Sequence, residues 1–100
     1  MKNDAVIDIF AALALKSRLK VFKAVVKAGE AGTTPSRILE IVKDMPRNTL
    51  SFHLAVLERA GLCSSVKSGK QVFYSAKPKA VRKAVKFLMK ECGGDLPDQQ

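Results

Sequence analysis

The sequence predicts a mainly α-helical domain with one small β-hairpin, arranged as four helices, the hairpin and a fifth helix. Two observations lead to this fold class. Apolar residues recur at helical spacing in five stretches of the chain, and strand-like runs on either side of a Gly-Lys turn separate the fourth stretch from the fifth. One hundred residues with 47% hydrophobic content are enough to close one modest core. We therefore expect a single domain over residues 1–100.

The first two helices are predicted near the N-terminus. Helix one is expected over residues 4–15, with Asn3 or Asp4 as its cap. Helix two is expected to be capped by Ser17 and to end at the glycines that begin with Gly29. The inward stripe of helix one consists of Val6, Ile9, Phe10 and Leu13. The inward stripe of helix two consists of Leu19, Val21, Phe22, Val25 and Val26.

Residues 34–60 are predicted to form two helices with a short break between them. Thr34-Pro35 is a start signal, because the hydroxyl can cap the helix and proline fits its first position. His53 lies beside the leucine face of the second helix, so we expect a hydrogen-bonded, partly buried imidazole rather than a metal ligand or a catalyst. The first helix is expected to bury Ile38, Leu39, Ile41 and Val42. The second, over residues 47–60, is expected to bury Leu50, Leu54 and Leu57.

The last third of the chain is predicted to be a hairpin followed by a helix. Residues 62–76 contain two strand-like runs joined by Ser68-Gly69-Lys70, a small and basic turn. A helix is expected over residues 78–92, and residues 93–100 are expected to be a flexible tail that begins at two glycines. The apolar face of this helix consists of Val81, Ala84, Val85, Leu88 and Cys92.

The charge balance points to an anionic partner. Eighteen Lys and Arg against nine Asp and Glu give a net charge of +9, which is typical of proteins that bind nucleic acid or an anionic surface. A merely soluble basic protein is the alternative. A short helix, a tight break, a second helix and a basic-tipped hairpin form the winged helix-turn-helix arrangement, in which the second helix enters the major groove. We therefore expect double-stranded DNA as the partner.

The expected DNA contacts lie at the start of the second helix of this pair and on the hairpin, or wing. Arg47 can donate to guanine or phosphate, and Asn48 can pair with adenine through two hydrogen bonds. Thr49 or Ser51 can serve either a base or a phosphate. Phe52 points outward and can pack on a thymine methyl, although it could instead shelter the core edge or meet a partner helix. The expected wing contacts are Lys67, Lys70 and Gln71.

The sequence carries no signature of an enzyme or of a membrane protein. It has one histidine, and it lacks His-x-Glu, Cys-x-x-Cys and Gly-rich phosphate-loop motifs. The uncharged run over residues 9–15 is far too short to span a bilayer, so no membrane partner is expected. Cys63 and Cys92 are too few for a disulfide framework, which favours a reducing prokaryotic cytoplasm.

Residues 9–76 resemble the arsenical-resistance-repressor (ArsR/SmtB) type of winged-helix transcriptional regulator. Residues 12–22 are similar to its opening signature, residues 48–62 to its recognition helix and residues 65–74 to its wing. The resemblance implies a homodimer that represses its own operon from a palindromic operator and is released by a metal, metalloid or oxidant. It places the dimer seam on residues 4–15 and 78–92, although these stripes could instead pack on their own chain. The implied interface consists of Val6, Ile9, Phe10, Leu13, Val81, Val85 and Leu88.

The chain departs from this family where its members bind inducers. Thr34 and Ser36 stand near the positions of a Cys-x-Cys metal pair, and residues 78–92 contain neither histidine nor aspartate. Residues 91–100 resemble the tail of arsenite-responsive members, yet only Cys92 of three cysteines is present. No metal site or cofactor is therefore expected, while a thiophilic metalloid or a thiol switch at Cys63 and Cys92 stays an alternative to two inert cysteines. The alternative function is an architectural DNA binder or a protein-interaction module without an inducer.

Overall fold

The computed structural model describes residues 1–94 and confirms the predicted fold class and element order. A single 3-10 turn at Gly29–Ala31 joins the second helix to the third within these residues. Only Gly93 and Gly94 of the predicted tail over residues 93–100 belong to the described part. The elements are α1 (Asn3–Leu13), α2 (Lys16–Lys27), α3 (Pro35–Ile41), α4 (Arg47–Arg59), β1 (Cys63–Ser68), β2 (Gln71–Ala76) and α5 (Pro78–Glu91).

The core is built around the leucine face of α4. Leu50, Leu54 and Leu57 are each at most 1% exposed, as the three- and four-residue spacing predicts. Burying a leucine side chain contributes about 1.5–3 kcal/mol, so this face fixes the orientation of α4 strongly. Around it lie buried side chains from α1, α2, α3, β1 and α5, including Ile9, Val25, Ile38, Cys63 and Ala84.

Three apolar residues predicted to be buried are exposed instead. Leu19 and Val26 on α2 are 41% and 43% exposed, because Val21, Phe22, Ala24 and Val25 already occupy the arc of the helix that meets the core. Ile41 is 62% exposed at the last position of α3, while Val42 behind it is buried. The apolar face of each of these helices is therefore wider than the part that neighbouring elements of the same chain cover.

The structure confirms one predicted helix cap and corrects two. Thr34 caps α3, since its Oγ1 accepts a hydrogen bond from the Arg37 backbone N–H at 3.3 Å. The position before α1 is Lys2 rather than Asn3 or Asp4, and no side chain caps that helix. Helix α2 begins at Lys16, so Ser17 lies inside its first turn and its hydroxyl hydrogen-bonds elsewhere.

The hairpin is closed by a two-residue turn. Ser68 pairs with Gln71 as the last step of the antiparallel ladder, so Ser68 belongs to β1 and only Gly69 and Lys70 form the turn. Gly69 has φ of +63°, a left-handed conformation that glycine adopts without strain and that two-residue hairpins require. The tip of the wing is therefore short and well defined.

A short backbone bridge ties the wing to the segment before α3. The Thr33 N–H donates to the Tyr74 carbonyl at 2.9 Å, and the Tyr74 N–H donates to the Thr33 carbonyl at 2.7 Å. Gly32 makes this close approach possible: it has φ of +81°, and a Cβ there would lie 3.0 Å from the Tyr74 carbonyl oxygen. The start of α3 and the return strand of the wing are therefore held against each other.

Helix α5 packs on the rest of the chain through a narrow face. Ala84 is its one fully buried residue, and Leu88 on its apolar flank is 43% exposed. The chain measures 47 × 23 × 23 Å, and its radius of gyration of 14.6 Å exceeds the value of about 13 Å for a compact domain of this size. No helix within residues 1–94 has the length and apolarity needed to cross a membrane.

Candidate nucleic-acid interface

The start of α4 presents a polar face to solvent. Arg47, Asn48, Ser51 and Phe52 are exposed, whereas Thr49 is half-buried. Residues at positions i, i+1, i+4 and i+5 share one side of a helix, so these four side chains lie together, opposite the leucine face. The structure thus brings together the four exposed α4 residues predicted to contact DNA, and Thr49 sits at their edge.

The N-terminus of α4 is open to an anion. Pro46 precedes the helix in an extended conformation, and no side chain caps the first turn. The free N–H groups and the partial positive charge of the helix end therefore face outward, where they can attract a phosphate. The Arg47 guanidinium donates to the Ser36 hydroxyl over 3.4 Å, a long contact that leaves most of its donors free.

The predicted wing residues are also exposed. Lys67 lies near the end of β1, Lys70 lies in the turn and Gln71 begins β2. All three are exposed, and Val66 beside them is 66% exposed. A wing with an apolar side chain and two lysines near its tip can contact both the sugars and the phosphates of a nucleic-acid backbone.

His53 is buried and holds α4 against the first two helices. It is 4% exposed, its Nε2 lies 3.0 Å from the Ser17 hydroxyl, and its Nδ1 lies 3.3 Å from Nη1 of Arg18. Arg18 also donates through Nε to the Ala12 carbonyl at 2.7 Å. The prediction of a hydrogen-bonded structural imidazole is confirmed, whereas its partners lie 35 and 36 positions away along the chain, where no sequence pattern identified them.

The charge of Arg18 determines which nitrogen of His53 carries the proton. A guanidinium can only donate, so Nδ1 must accept, and the ring hydrogen is on Nε2, which donates to the Ser17 hydroxyl. Burial lowers the pKa of His53 below its ordinary value of 6.5, and the positive charge of Arg18 acts in the same direction. The native protein therefore contains neutral His53 at pH 7.

We expect the free energy of unfolding to decrease as the pH falls below about 6.5. Below about pH 6.5 the unfolded chain takes up a proton on His53, whereas the folded chain does so only at a lower pH. The stability present above pH 6.5 is therefore lost progressively as the pH falls toward the pKa of His53 in the folded state. The slope is at most about 1.4 kcal/mol per pH unit for this one proton. Urea unfolding between pH 7.5 and pH 5 measures it.

The His53→Gln variant is the control for this pH dependence. It removes the one imidazole of the sequence, so the variant should show a smaller slope between pH 5 and pH 7.5 than the unaltered protein. An equal slope in both proteins would contradict the assignment.

The two cysteines differ sharply in their surroundings. Cys63 is 2% exposed, and burial together with the nearby Glu58 carboxylate raises its pKa to about 11, against an opposing effect of Lys77. Its thiol is thus protonated at neutral pH and is a poor nucleophile. Cys92 is exposed just after α5, and both thiols are free. Within residues 1–94, no three His, Cys, Asp or Glu side chains are grouped as a metal site.

The comparison with known families decides the identity of this domain. The sequence model of the helix-turn-helix domain family matches residues 13–63, which is half of the chain and includes α2, α3 and α4. The chain belongs to the helix-turn-helix domain family. Among curated proteins, none matches the sequence significantly. In this helix-turn-helix protein, the matched residues include α3, a short turn and α4, and in such a motif the second helix is the one that enters the major groove.

Solved structures of winged regulators share this fold. The ArsR-like transcriptional regulator from Rhodococcus sp. RHA1 is 26% identical, with a TM-score of 0.76 over 90% of this chain and 81% of that one. The transcriptional repressor BigR from Xylella fastidiosa is 23% identical, with a TM-score of 0.65 over 82% of this chain and 81% of that one. A homodimeric winged helix-turn-helix DNA-binding domain from Mycobacterium bovis is 21% identical, with a TM-score of 0.68 over 90% and 79%.

These likenesses confirm the resemblance to ArsR-type winged helix-turn-helix regulators. Family and fold are those of transcriptional regulators, which are not enzymes, in agreement with the prediction from the motifs. The two structures below 25% identity show the fold alone, a winged helix-turn-helix in which the hairpin after the second helix of the motif is the wing.

Proposed function

We propose that this protein is a homodimeric, sequence-specific DNA-binding repressor that blocks transcription from a palindromic operator. The observation that carries the proposal is the exposed face of Asn48, Ser51 and Phe52 on the recognition helix. Coating DNA without regard to sequence needs only lysine and arginine, whereas an amide, a hydroxyl and an aromatic ring can distinguish base edges. Arg47 and the wing lysines would supply the phosphate contacts.

Helices α1 and α5 support the homodimer. Val6 and Ile9 of the expected interface are 4% and 2% exposed in the single chain. They are therefore already covered by their own chain and could support a dimer interface only by holding α1 in place. Ile7 is 61% exposed on the outer side of α1, and Leu88 is 43% exposed on the flank of α5 that also carries the half-buried Val81 and Val85. A second copy covering this flank would bury it and would place two recognition helices about one turn of DNA apart.

The structure gives no support to an inducer site built from both cysteines. Cys63 is buried with a raised pKa, so a thiol-reactive signal would have to act at the exposed Cys92 first. Labelling the native dimer with iodoacetamide tests this: modification of Cys92 with release of DNA would support a thiol switch, and unaltered DNA binding after oxidation would exclude it.

Selection from random duplexes tests sequence-specific binding. The enriched sequence should be palindromic and should bind at least about 1,000-fold more tightly than random duplex near 0.15 M salt. Equal affinity for both would support the architectural DNA binder, and no binding to any duplex at low salt would support a protein-interaction module. Each outcome separates the proposal from one alternative.

Asn48→Ala and Lys70→Ala should weaken binding in different ways. Asn48→Ala should cost about 1–3 kcal/mol on the selected operator and relax the preference at one base pair of each half-site, because an amide paired with adenine reads that base. Lys70→Ala should lower affinity on all duplexes alike and reduce the salt dependence. Gel-shift titrations on the operator, on single-base variants and on random duplex measure both effects. A uniform loss for both variants would contradict the division of roles.

A further inference from the structure

A cleft outside the polar α4 face and the wing carries four lysines. It lies between α2 and the turn after α3 and has a volume of about 440 Å³. Its lining combines Ala24, Ile41, Val42 and Asp44 with Lys20, Lys23, Lys27 and Lys43. Four lysines against one aspartate leave a net charge of +3, and we call this feature the lysine cleft.

Three lysines of the cleft form a row along α2 that could contact successive charges of a polyanion. Lys20, Lys23 and Lys27 are exposed and follow one another at i, i+3 and i+7, so they lie on one side of α2 along about 10.5 Å. Double-stranded DNA carries one negative charge per roughly 1.7 Å of its axis, so a row of this length faces several phosphates. This spacing suits a continuous backbone better than a single small anion.

The cleft also includes two residues of the turn that leads into α4, Lys43 and Asp44. Lys43 is exposed on the turn between α3 and α4, four residues before Arg47. In that turn Asp44 adopts a left-handed conformation with φ of +67°, which reverses the chain sharply between the two helices. One lysine of the cleft therefore lies within one helical turn, along the chain, of the end of α4 that would enter the groove.

The residue types favour nucleic acid over an acidic protein. Lysine is depleted in protein–protein interfaces, which are enriched in aromatic residues, methionine and arginine, and none of these lines the cleft. Flexible lysines that each meet one phosphate are common in non-specific DNA contacts. We propose that the lysine cleft binds the DNA backbone flanking the operator, beyond the base pairs that the recognition helices and wings reach. This inference rests on the proposed function.

A duplex-length experiment tests the cleft separately from operator recognition. Affinities are measured for the selected operator core and for the same core extended at both ends by about one turn of random sequence. The unaltered protein should bind the extended duplex more tightly. The Lys23→Gln/Lys27→Gln variant should lose this gain and bind the core as before. Its salt slope on the extended duplex should fall by about 3.6 per dimer, since each of the four lost phosphate contacts removes about 0.9.

The matched control is Lys86→Gln/Lys90→Gln on α5, which removes the same charge at the same spacing from a helix. The proposal holds if the control keeps the length-dependent gain. It is overturned if the control loses as much of the length-dependent gain as the cleft variant does. It is also overturned if duplex length has no effect while the cleft variant binds polyglutamate, a stand-in for an acidic protein, less tightly than the unaltered protein does. Failure of the unaltered protein to prefer its core contradicts the proposed function, whereas a preferred core without any length-dependent gain contradicts the cleft alone.

Discussion

Leu88→Glu is expected to convert the protein to a monomer and to lower its affinity for the palindromic duplex by at least about 100-fold. Leu88 is 43% exposed on the apolar flank of α5, so a carboxylate there leaves the single chain nearly unaffected but would be buried in a dimer without a partner charge. Two joined DNA-binding units gain about 100- to 10,000-fold over one unit, and the monomer forfeits that gain. Light scattering gives the mass, and gel-shift titration gives the affinity.

Lys86→Ala is the control for the Leu88 variant, because it alters the charge of the same helix away from the apolar flank. It should remain a dimer and keep most of its affinity. If Leu88→Glu is folded and still a dimer, the seam lies elsewhere on the chain and the proposed interface is wrong. Circular dichroism of both variants establishes that any loss of mass reflects dissociation rather than unfolding.

Leu54→Ala is expected to reduce the free energy of unfolding by about 2–5 kcal/mol. Leu54 is 1% exposed at the centre of the leucine face, where truncation removes buried apolar surface and leaves a cavity among tightly packed neighbours. Urea unfolding at equal protein concentration measures the difference, since the stability of a dimer depends on concentration. A loss below about 1 kcal/mol would show that the core collapses around the smaller side chain.

Phe52→Ala is the matched comparison on the same helix. Phe52 is 62% exposed, and its ring lies 6.1 Å from that of His53 in a tilted arrangement, so its removal should change stability by no more than about 0.5 kcal/mol. A loss of operator affinity that depends on the presence of a thymine methyl would assign Phe52 to base contact. A large loss of stability in this variant would instead make it part of the core edge.

The sequence predicted the fold where the pattern was local. The leucine spacing of α4, the Thr34-Pro35 start of α3 and the Gly-Lys turn each depend on residues within a few positions of one another, and each is confirmed. Leu19 and Val26 were assigned wrongly because periodicity identifies an apolar stripe but not how much of it the neighbouring helices cover. Ser17 is a residue type that often caps helices, yet its hydroxyl is hydrogen-bonded to the imidazole of His53, which is distant in sequence.

The exposed residues of the candidate site could be predicted from the sequence, whereas the contacts that hold its helices in place could not. Outward positions on α4 follow from helical geometry once the leucine face is known, so Asn48 and Ser51 could be named from the sequence. The contacts of Arg18 with His53 join residues 35 positions apart, and the convergence of Lys43 with the α2 lysines depends on how α3 packs. These features arise from tertiary packing, which periodicity does not encode.

The bridge between Thr33 and Tyr74 joins the wing and the segment before α3 into one unit. Its paired backbone hydrogen bonds, with no room for a side chain at Gly32, hold the wing and the first helix of the motif in register before any DNA arrives. Little ordering entropy then opposes the encounter, since the wing does not have to fold onto the duplex. A unit held together in this way has little freedom to change its own conformation. In the proposed homodimer, a regulatory signal would therefore act by changing the distance and angle between the two units rather than the shape of either one.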